Sequence, residues 1–369
     1  MLFNSDSVSP LHLSITRSIM SNPAVETVPV VWGYDEQLLN SEYLGLDLEA
    51  DSLFRFQEKI CLLQMTDGER SVLVETLDVD LSDLANHLLG REVWLHGADY
   101  DMALMKRAWG GLPIKIWDTQ IGARLLGSRK FGYAALVEEF FGVVLPKGSQ
   151  KADWGQRPLP ERMAQYALND VKFLIPLARK IQERLHELGR FSWFEESCDW
   201  ERARALERVD NREEAWRIKG SGKLDRRTLA HLKEVWSWRE AEALKWNRPS
   251  FMVAGNKDLL TWSAASAAGE RLNFSKSMRP DRRRRLLERL EKLVEIPESD
   301  WPEKIRAPRR TRDREREKEV DLLLARREKK AEELGIEPAV LGSRASYEAL
   351  AAGDGERLMK WQKSVMEIA

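Results

Sequence analysis

The strongest constraint on the fold is a change of rhythm near residue 80. Between residues 42 and 77 the chain reads as three short strands: 43–48, largely apolar and running into acids; 59–65, continuous and mostly apolar; and 71–77, rich in Val and Leu. Thr66-Asp67-Gly68 is a turn signal between the last two. Strands joined by such short loops fit an antiparallel meander, because a parallel return needs a crossover of a dozen or more residues. Beyond residue 80, helical spacing at 81–89, 102–109, 119–126, 133–141 and 161–188 alternates with short strands at 93–95 and 114–117. That alternation predicts parallel pairing through crossovers, and so a mixed α/β sheet flanked by helices. After residue 188 strand signals fade, and an all-α, highly charged region is expected.

A chain of 369 residues has room for two or three domains. The patterning divides it into an extension without structure at 1–24, the α/β domain at 25–190 and a helical domain at 205–295. A linker rich in Pro and Arg at 296–312 and a further helical module at 313–369 complete it. Hydrophobic residues at 43% allow a sizeable core. Lys and Arg (59) nearly cancel Asp and Glu (60), so total charge is no argument for a polyanionic partner. Distribution says more: isolated acids sit at motif-like positions in the front half, while arginines cluster at 282–285 and 306–316. The two cysteines, Cys61 and Cys198, form neither a disulfide framework nor a zinc spacing and suit a reducing cytoplasm. No apolar run is long enough to span a bilayer, and the first residues lack the uninterrupted apolar stretch of a signal peptide. The expectation is a cytoplasmic protein with no membrane partner.

Three segments carry candidate chemistry. In Gly45-Leu46-Asp47-Leu48-Glu49, strand alternation puts Asp47 and Glu49 on one face. Paired carboxylates raise each other's pKa, and a divalent cation with oxygen ligands relieves the repulsion. Taken alone, this short pattern also fits a solvated polar face. In His96-Gly97-Ala98-Asp99-Tyr100-Asp101, Asp101 falls near a helix N-terminus, where an acid equally complements the helix dipole. The third segment holds Lys147, Gln150, Ala152-Asp153-Trp154, Arg157-Pro158-Leu159 and Tyr166-Ala167-Leu168-Asn169-Asp170. Tyr166 and Asp170 are one helical turn apart and share a face, from which both could reach a water at a metal, although Tyr166 alone fits a core aromatic as well.

In this order the segments resemble the three exonuclease motifs of the DEDD superfamily, in its tyrosine-bearing subgroup. The match to the ribonuclease D family is closest through 147–174 and through the strand 60–64. The resemblance implies a ribonuclease H-like fold and a metal-dependent 3′→5′ exonuclease that releases nucleoside 5′-monophosphates. It makes Asp47, Glu49, Asp101 and Asp170 the ligands of two divalent ions, Mg²⁺ or Mn²⁺, and makes Tyr166 the residue that orients or helps deprotonate the attacking water. His96, Lys147, Gln150 and Arg157 become substrate contacts. The implied partner is RNA, with precursor tRNA 3′ ends leading. A DNA exonuclease and a silent nucleic-acid-binding scaffold are the alternatives, and the intact acids argue against the second. Departures from the family pattern are Gly97 and Ala152, neither of which is one of the acids. Ala215-Trp216-Arg217-Ile218-Lys219-Gly220 and Arg248-Pro249-Ser250-Phe251 look like a helicase-and-ribonuclease-D C-terminal (HRDC) domain, and 313–369 looks like a diverged second copy. Trp236, Trp262 and Trp361 are expected as core residues.

Overall fold

The structure is a computed structural model that describes residues 30–146, 148–209, 212–295, 297–305 and 313–368. The expected extension at 1–24, and with it the chain start, lies outside the described residues, as does Lys147. Five strands form one sheet: β1 (Gly45–Ala50), β2 (Ile60–Thr66), β3 (Ser71–Glu75), β4 (Glu92–Leu95) and β5 (Lys115–Asp118), in the order β3-β2-β1-β4-β5. The first three pair antiparallel, and β4 and β5 are added in parallel on the other side of β1. This is the mixed sheet that the change of rhythm predicts.

The helices of the first half are α1 (Glu36–Leu39), α2 (Ser82–Leu89), α3 (Asp99–Trp109), α4 (Thr119–Leu125), α5 (Tyr133–Phe141), α6 (Glu161–Lys172), α7 (Leu174–Glu187) and α8 (Phe191–Glu207). The single helix expected at 161–188 is two. Pro176 lies early in α7, where its ring would collide with the Lys172 carbonyl of a continuous helix and no N–H is available. The chain breaks at Phe173, whose N–H donates instead to the Tyr133 hydroxyl at 3.0 Å. Strand alternation sends Leu46, Leu48, Leu63, Met65, Val72 and Val74 to one sheet face, in the same core as residues of α2 and α3. Leu62 and Leu73 point to the other face and pack with Met163, Ala164, Ala167 and Leu168 of α6.

The remaining helices are α9 (Arg226–Trp246), α10 (Ser250–Val253), α11 (Asn256–Ala267), α12 (Pro280–Glu291), α13 (Arg314–Leu334), α14 (Arg344–Leu350) and α15 (Lys360–Val365). Packing divides the chain into two units whose bounds differ from those expected. The first takes 30–50 and 60–207 and adds 315–368; the second takes 51–59 and the described parts of 208–314. Residues 315–368 are therefore no module apart. Trp361 of α15 is buried, stacks on Trp193 of α8 at 4.9 Å, and donates from its indole N–H to the Ser197 hydroxyl at 3.0 Å. The Glu196 carboxylate accepts the first two N–H groups of α15, from Lys360 (2.6 Å) and Trp361 (3.0 Å), and so caps that helix from another element. Arg190 donates to the carbonyls of Leu125 and Leu334, both at 2.7 Å, tying the end of α13 to the end of α4.

The second unit has its own core of Trp216, Leu229, Leu232, Val235, Trp238, Leu259, Trp262, Leu286 and Leu290, against which Trp236 is partly buried. The β1–β2 loop belongs to it: Phe56 packs on this core, and Arg248 donates to the Phe54 carbonyl at 2.6 Å. Part of the expected linker is also fastened here. Arg226 donates to the Trp301 carbonyl at 2.9 Å and Arg217 to the Glu303 carbonyl at 3.0 Å, while 306–312 lie outside the described residues.

Candidate active site

The site grows from the middle of the sheet. β1 is central, but its ladder with β4 has the single pair Gly45↔Trp94, so the later half of β1 has no strand beside it on that side. Asp47 and Glu49 stand there, on the same face as Gly45. Gly45 leaves room for its neighbours: a Cβ there would lie 2.8 Å from the Thr66 methyl of β2 and 3.0 Å from Leu174 of α7, so those side chains would have to shift. Asp170 comes from α6, and its carboxylate, with those of Asp47 and Glu49, forms a trio in which one oxygen from each lies within 4.8 Å of the other two. Asp101, in the first turn of α3, is buried and stands outside this tight trio, yet its charge bears on both Asp47 and Glu49.

No lysine or arginine among the described residues pairs with these four acids, and the electrostatics record it. Burial and then the neighbouring acids push Asp47 well above the ordinary carboxylate range and Glu49 up to about 9. Burial lifts Asp101 and Asp170 up to about 7 each. Carboxylates gathered without a counter-charge fit a divalent cation, because hard oxygen donors are what Mg²⁺ and Mn²⁺ take. The donor set is thus chemically suited to the metal that its arrangement implies.

Tyr166 stands one turn before Asp170 on the same helix, and the two groups bear on each other's titration. Burial and then the adjacent acids raise the phenol above its ordinary value. His96 is half-buried at the end of β4, with Nδ1 2.9 Å from the Thr119 hydroxyl and the ring tilted on Tyr133 at 5.4 Å. Burial holds it below the usual histidine range, in the neutral form. Gln150 is exposed in the turn before Trp154.

Arg157 has a different place from the one expected of a phosphate contact. Its five N–H donors are all occupied: two on the Glu75 carboxylate at 2.6 Å, one on the Cys61 carbonyl at 2.6 Å, and two on the carbonyls of Trp154 and Gln156 at 2.9 and 2.8 Å. It ties the segment ahead of α6 to β2 and β3, and so sets the register of Tyr166 and Asp170 against Asp47 and Glu49.

Asp118 is a site residue that motif reading misses. Buried at the end of β5, it accepts from the N–H groups of Gly97 (2.8 Å), Ala98 (2.9 Å) and Gln120 (2.8 Å). It caps α4 and holds the turn that delivers Asp101. Gly97 in that turn has φ +68°, a backbone conformation that alanine would occupy only with strain, which accounts for glycine there. The signal was present as an Asp-Thr pair at a strand-to-helix junction, which reads as an N-cap. Its second task, across 20 residues, is invisible without the fold. Tyr133, against His96 and accepting the Phe173 N–H, is another contact that nothing local in the sequence separates from an ordinary core aromatic.

Comparison with known proteins agrees with this geometry. Residues 34–186 match the family model for a 3′-5′ exonuclease. The chain is 32% identical over 323 residues to the ribonuclease D of Pseudomonas paraeruginosa, covering 84% of this chain and 83% of that one. It is 31% identical over 273 residues to the ribonuclease D of Escherichia coli, covering 70% and 72%. The crystal structure of E. coli RNase D, described as an exoribonuclease involved in structured RNA processing, superposes with a TM-score of 0.70 at 26% identity, over 90% of this chain and 92% of that one. A chain with these relatives and this arrangement of acids belongs to the ribonuclease D family and is a 3′→5′ exoribonuclease.

Proposed function

We propose that this chain trims the 3′ ends of structured RNA, precursor tRNA foremost, in the cytoplasm, removing one nucleoside 5′-monophosphate at a time with two divalent ions, Mg²⁺ or Mn²⁺. The observation that supports it best is the gathering of Asp47, Glu49 and Asp170, with Asp101 bearing on them, where no basic side chain among the described residues answers their charge. Asp47, Glu49, Asp101 and Asp170 would hold the ions. Bound there, the ions supply an activated water and neutralise charge on the departing 3′-oxygen. Tyr166 would orient that water or help deprotonate it through its hydroxyl. Asp118 keeps the Asp101 turn in place, and Arg157 keeps α6 in register. Water adds to the terminal phosphorus, the bond to the 3′-oxygen breaks, and the shortened RNA keeps a 3′-hydroxyl. An HRDC-like role for the second unit, gripping RNA, belongs to the same reading. E. coli RNase D is described as processing structured RNA, which favours RNA over DNA here.

The test is digestion of matched RNA and DNA strands with Mn²⁺, with and without chelator. Mononucleotide release from RNA that stops with chelator is expected, and faster digestion of DNA would reverse the substrate assignment. Tyr166→Phe should slow single-turnover hydrolysis by about 10²–10⁴-fold with Mn²⁺ binding retained. An unchanged rate would return Tyr166 to core packing.

A further inference from the structure

Gln64, in the middle of β2, is completely buried, yet neither Nε2 nor Oε1 of its amide has a hydrogen-bond partner. An amide taken out of water without a partner opposes folding, and buried polar groups are normally satisfied. The ladder decides what surrounds it. On β3 the residue opposite is Leu73, fully buried and apolar; on β1 it is Asp47. Residues directly opposed on antiparallel strands share a face, with Cβ atoms about 4.5–5.5 Å apart.

Along β2 the neighbours on that face are Leu62 and Thr66. The Thr66 hydroxyl already donates to the Arg70 carbonyl at 2.8 Å and accepts from the Gly68 N–H at 3.1 Å. From α6, which covers β2 here, the core contributes Met163, Ala164, Ala167 and Leu168, with Trp154 in the same cluster and Tyr166 partly buried against it. Of the acceptors near this face, the Asp47 carboxylate is the one directly opposite Gln64 in the ladder.

We propose that Gln64 is a positioning residue of the metal centre: its Nε2–H donates to the Asp47 carboxylate when that carboxylate holds a cation, and so fixes which oxygen faces the ion. The inference rests on the metal-site reading above. It also accounts for the residue type. A buried lysine or arginine beside Asp47 would compete with the ion, whereas a neutral amide orients the ligand and leaves its charge to the metal. Partners that orient metal ligands commonly matter about 10–100-fold in metal affinity.

The test is calorimetric titration of the full chain with Mn²⁺, alongside melting curves of the metal-free proteins, for wild type, Gln64→Met and Gln64→Leu. The methionine variant keeps the volume and loses the donor. Its metal-free Tm should equal or exceed that of wild type, because an unpartnered amide is gone, while its Mn²⁺ affinity should fall about 10–100-fold. Wild-type Mn²⁺ affinity in the methionine variant would overturn the inference. So would a metal-free Tm that falls in both variants, or failure of both to fold, since the amide would then be holding the fold together. Absence of Mn²⁺ binding by wild type would overturn the metal-site reading itself, and this inference with it.

Discussion

In the first unit four carboxylates are gathered without a basic partner among the described residues, whereas in the second unit each arginine of the Arg282–Arg285 run has a carboxylate or carbonyl acceptor. Arg282 and Arg285 converge on Glu242, a buried residue of α9, at 3.3 Å and 2.7 Å, and Arg282 also lies over the Trp246 ring at 4.4 Å. Arg283 donates to the Ser275 carbonyl at 2.8 Å. Only Arg284, 72% exposed and 3.5 Å from Glu288, faces mainly solvent. In sequence the arginines are the louder signal and the acids are scattered singletons. Packing reverses that ranking. A charge run whose members find partners is part of the local scaffold, while charges gathered without partners mark a place that something else must complete.

The largest effect should follow from removing a gathered acid. Asp170→Asn or Asp47→Asn should bring hydrolysis down to background and raise the metal-free Tm, because repulsion is relieved. The pH dependence has a definite sign. Unfolded, these acids ionise near their ordinary 3.8 to 4.5; folded and metal-free, Glu49 holds its proton up to about 9, and Asp101 and Asp170 up to about 7. Folded-state values raised in this way stabilise the protein below pH 4, and that contribution is lost as pH climbs through 7 to 9. The metal-free Tm should therefore decline with rising pH over that window, and saturating Mn²⁺ should flatten the decline. A Tm independent of pH and of Mn²⁺ across the window would mean that the acids are not gathered in solution.

Next in size is the buried ring at the end of the chain. Trp361→Ala should lower the stability of the first unit by about 3–5 kcal/mol, the usual loss for a large buried aromatic. Chemical denaturation followed by tryptophan fluorescence measures it. A loss under about 0.5 kcal/mol, the usual size for a surface substitution, would restore 315–368 as a module apart. By the same reasoning, cutting the chain at 211 exposes Trp193 and the Glu196 carboxylate of the catalytic unit, so a truncation there is no clean test of RNA gripping.

The smallest effects separate the arginines from one another. Arg285→Ala, which removes two donors from buried Glu242, should destabilise the second unit by about 1–3 kcal/mol. Arg284→Ala should stay within about 0.5 kcal/mol of wild type. If the helical unit contacts RNA phosphates through this face, Arg284→Ala should also reduce the slope of log affinity against log salt by about 1. Equal stability losses in the two variants would erase the contrast between buried and exposed ion pairs in α12.

Much of the site was legible in the chain because it obeys local periods. Alternation along β1 put Asp47 and Glu49 on one face, and a single helical turn put Tyr166 beside Asp170; both follow from backbone geometry alone. The order of strands and helices was equally local, and even the break at Phe173 was written in Pro176. What only the tertiary structure decided involves partners far apart along the chain, which no local period records. Arg157 meets Glu75 across 82 residues and becomes a tether where a phosphate contact was expected. Asp118 holds the turn before Asp101, the β1–β2 loop joins the helical unit, and α15 closes on α8 across 164 residues. Gln64 was visible as a letter in an apolar strand, but that it faces Asp47, buried and unpartnered, depends on the register of two strands, and register is set by the packing of the whole sheet.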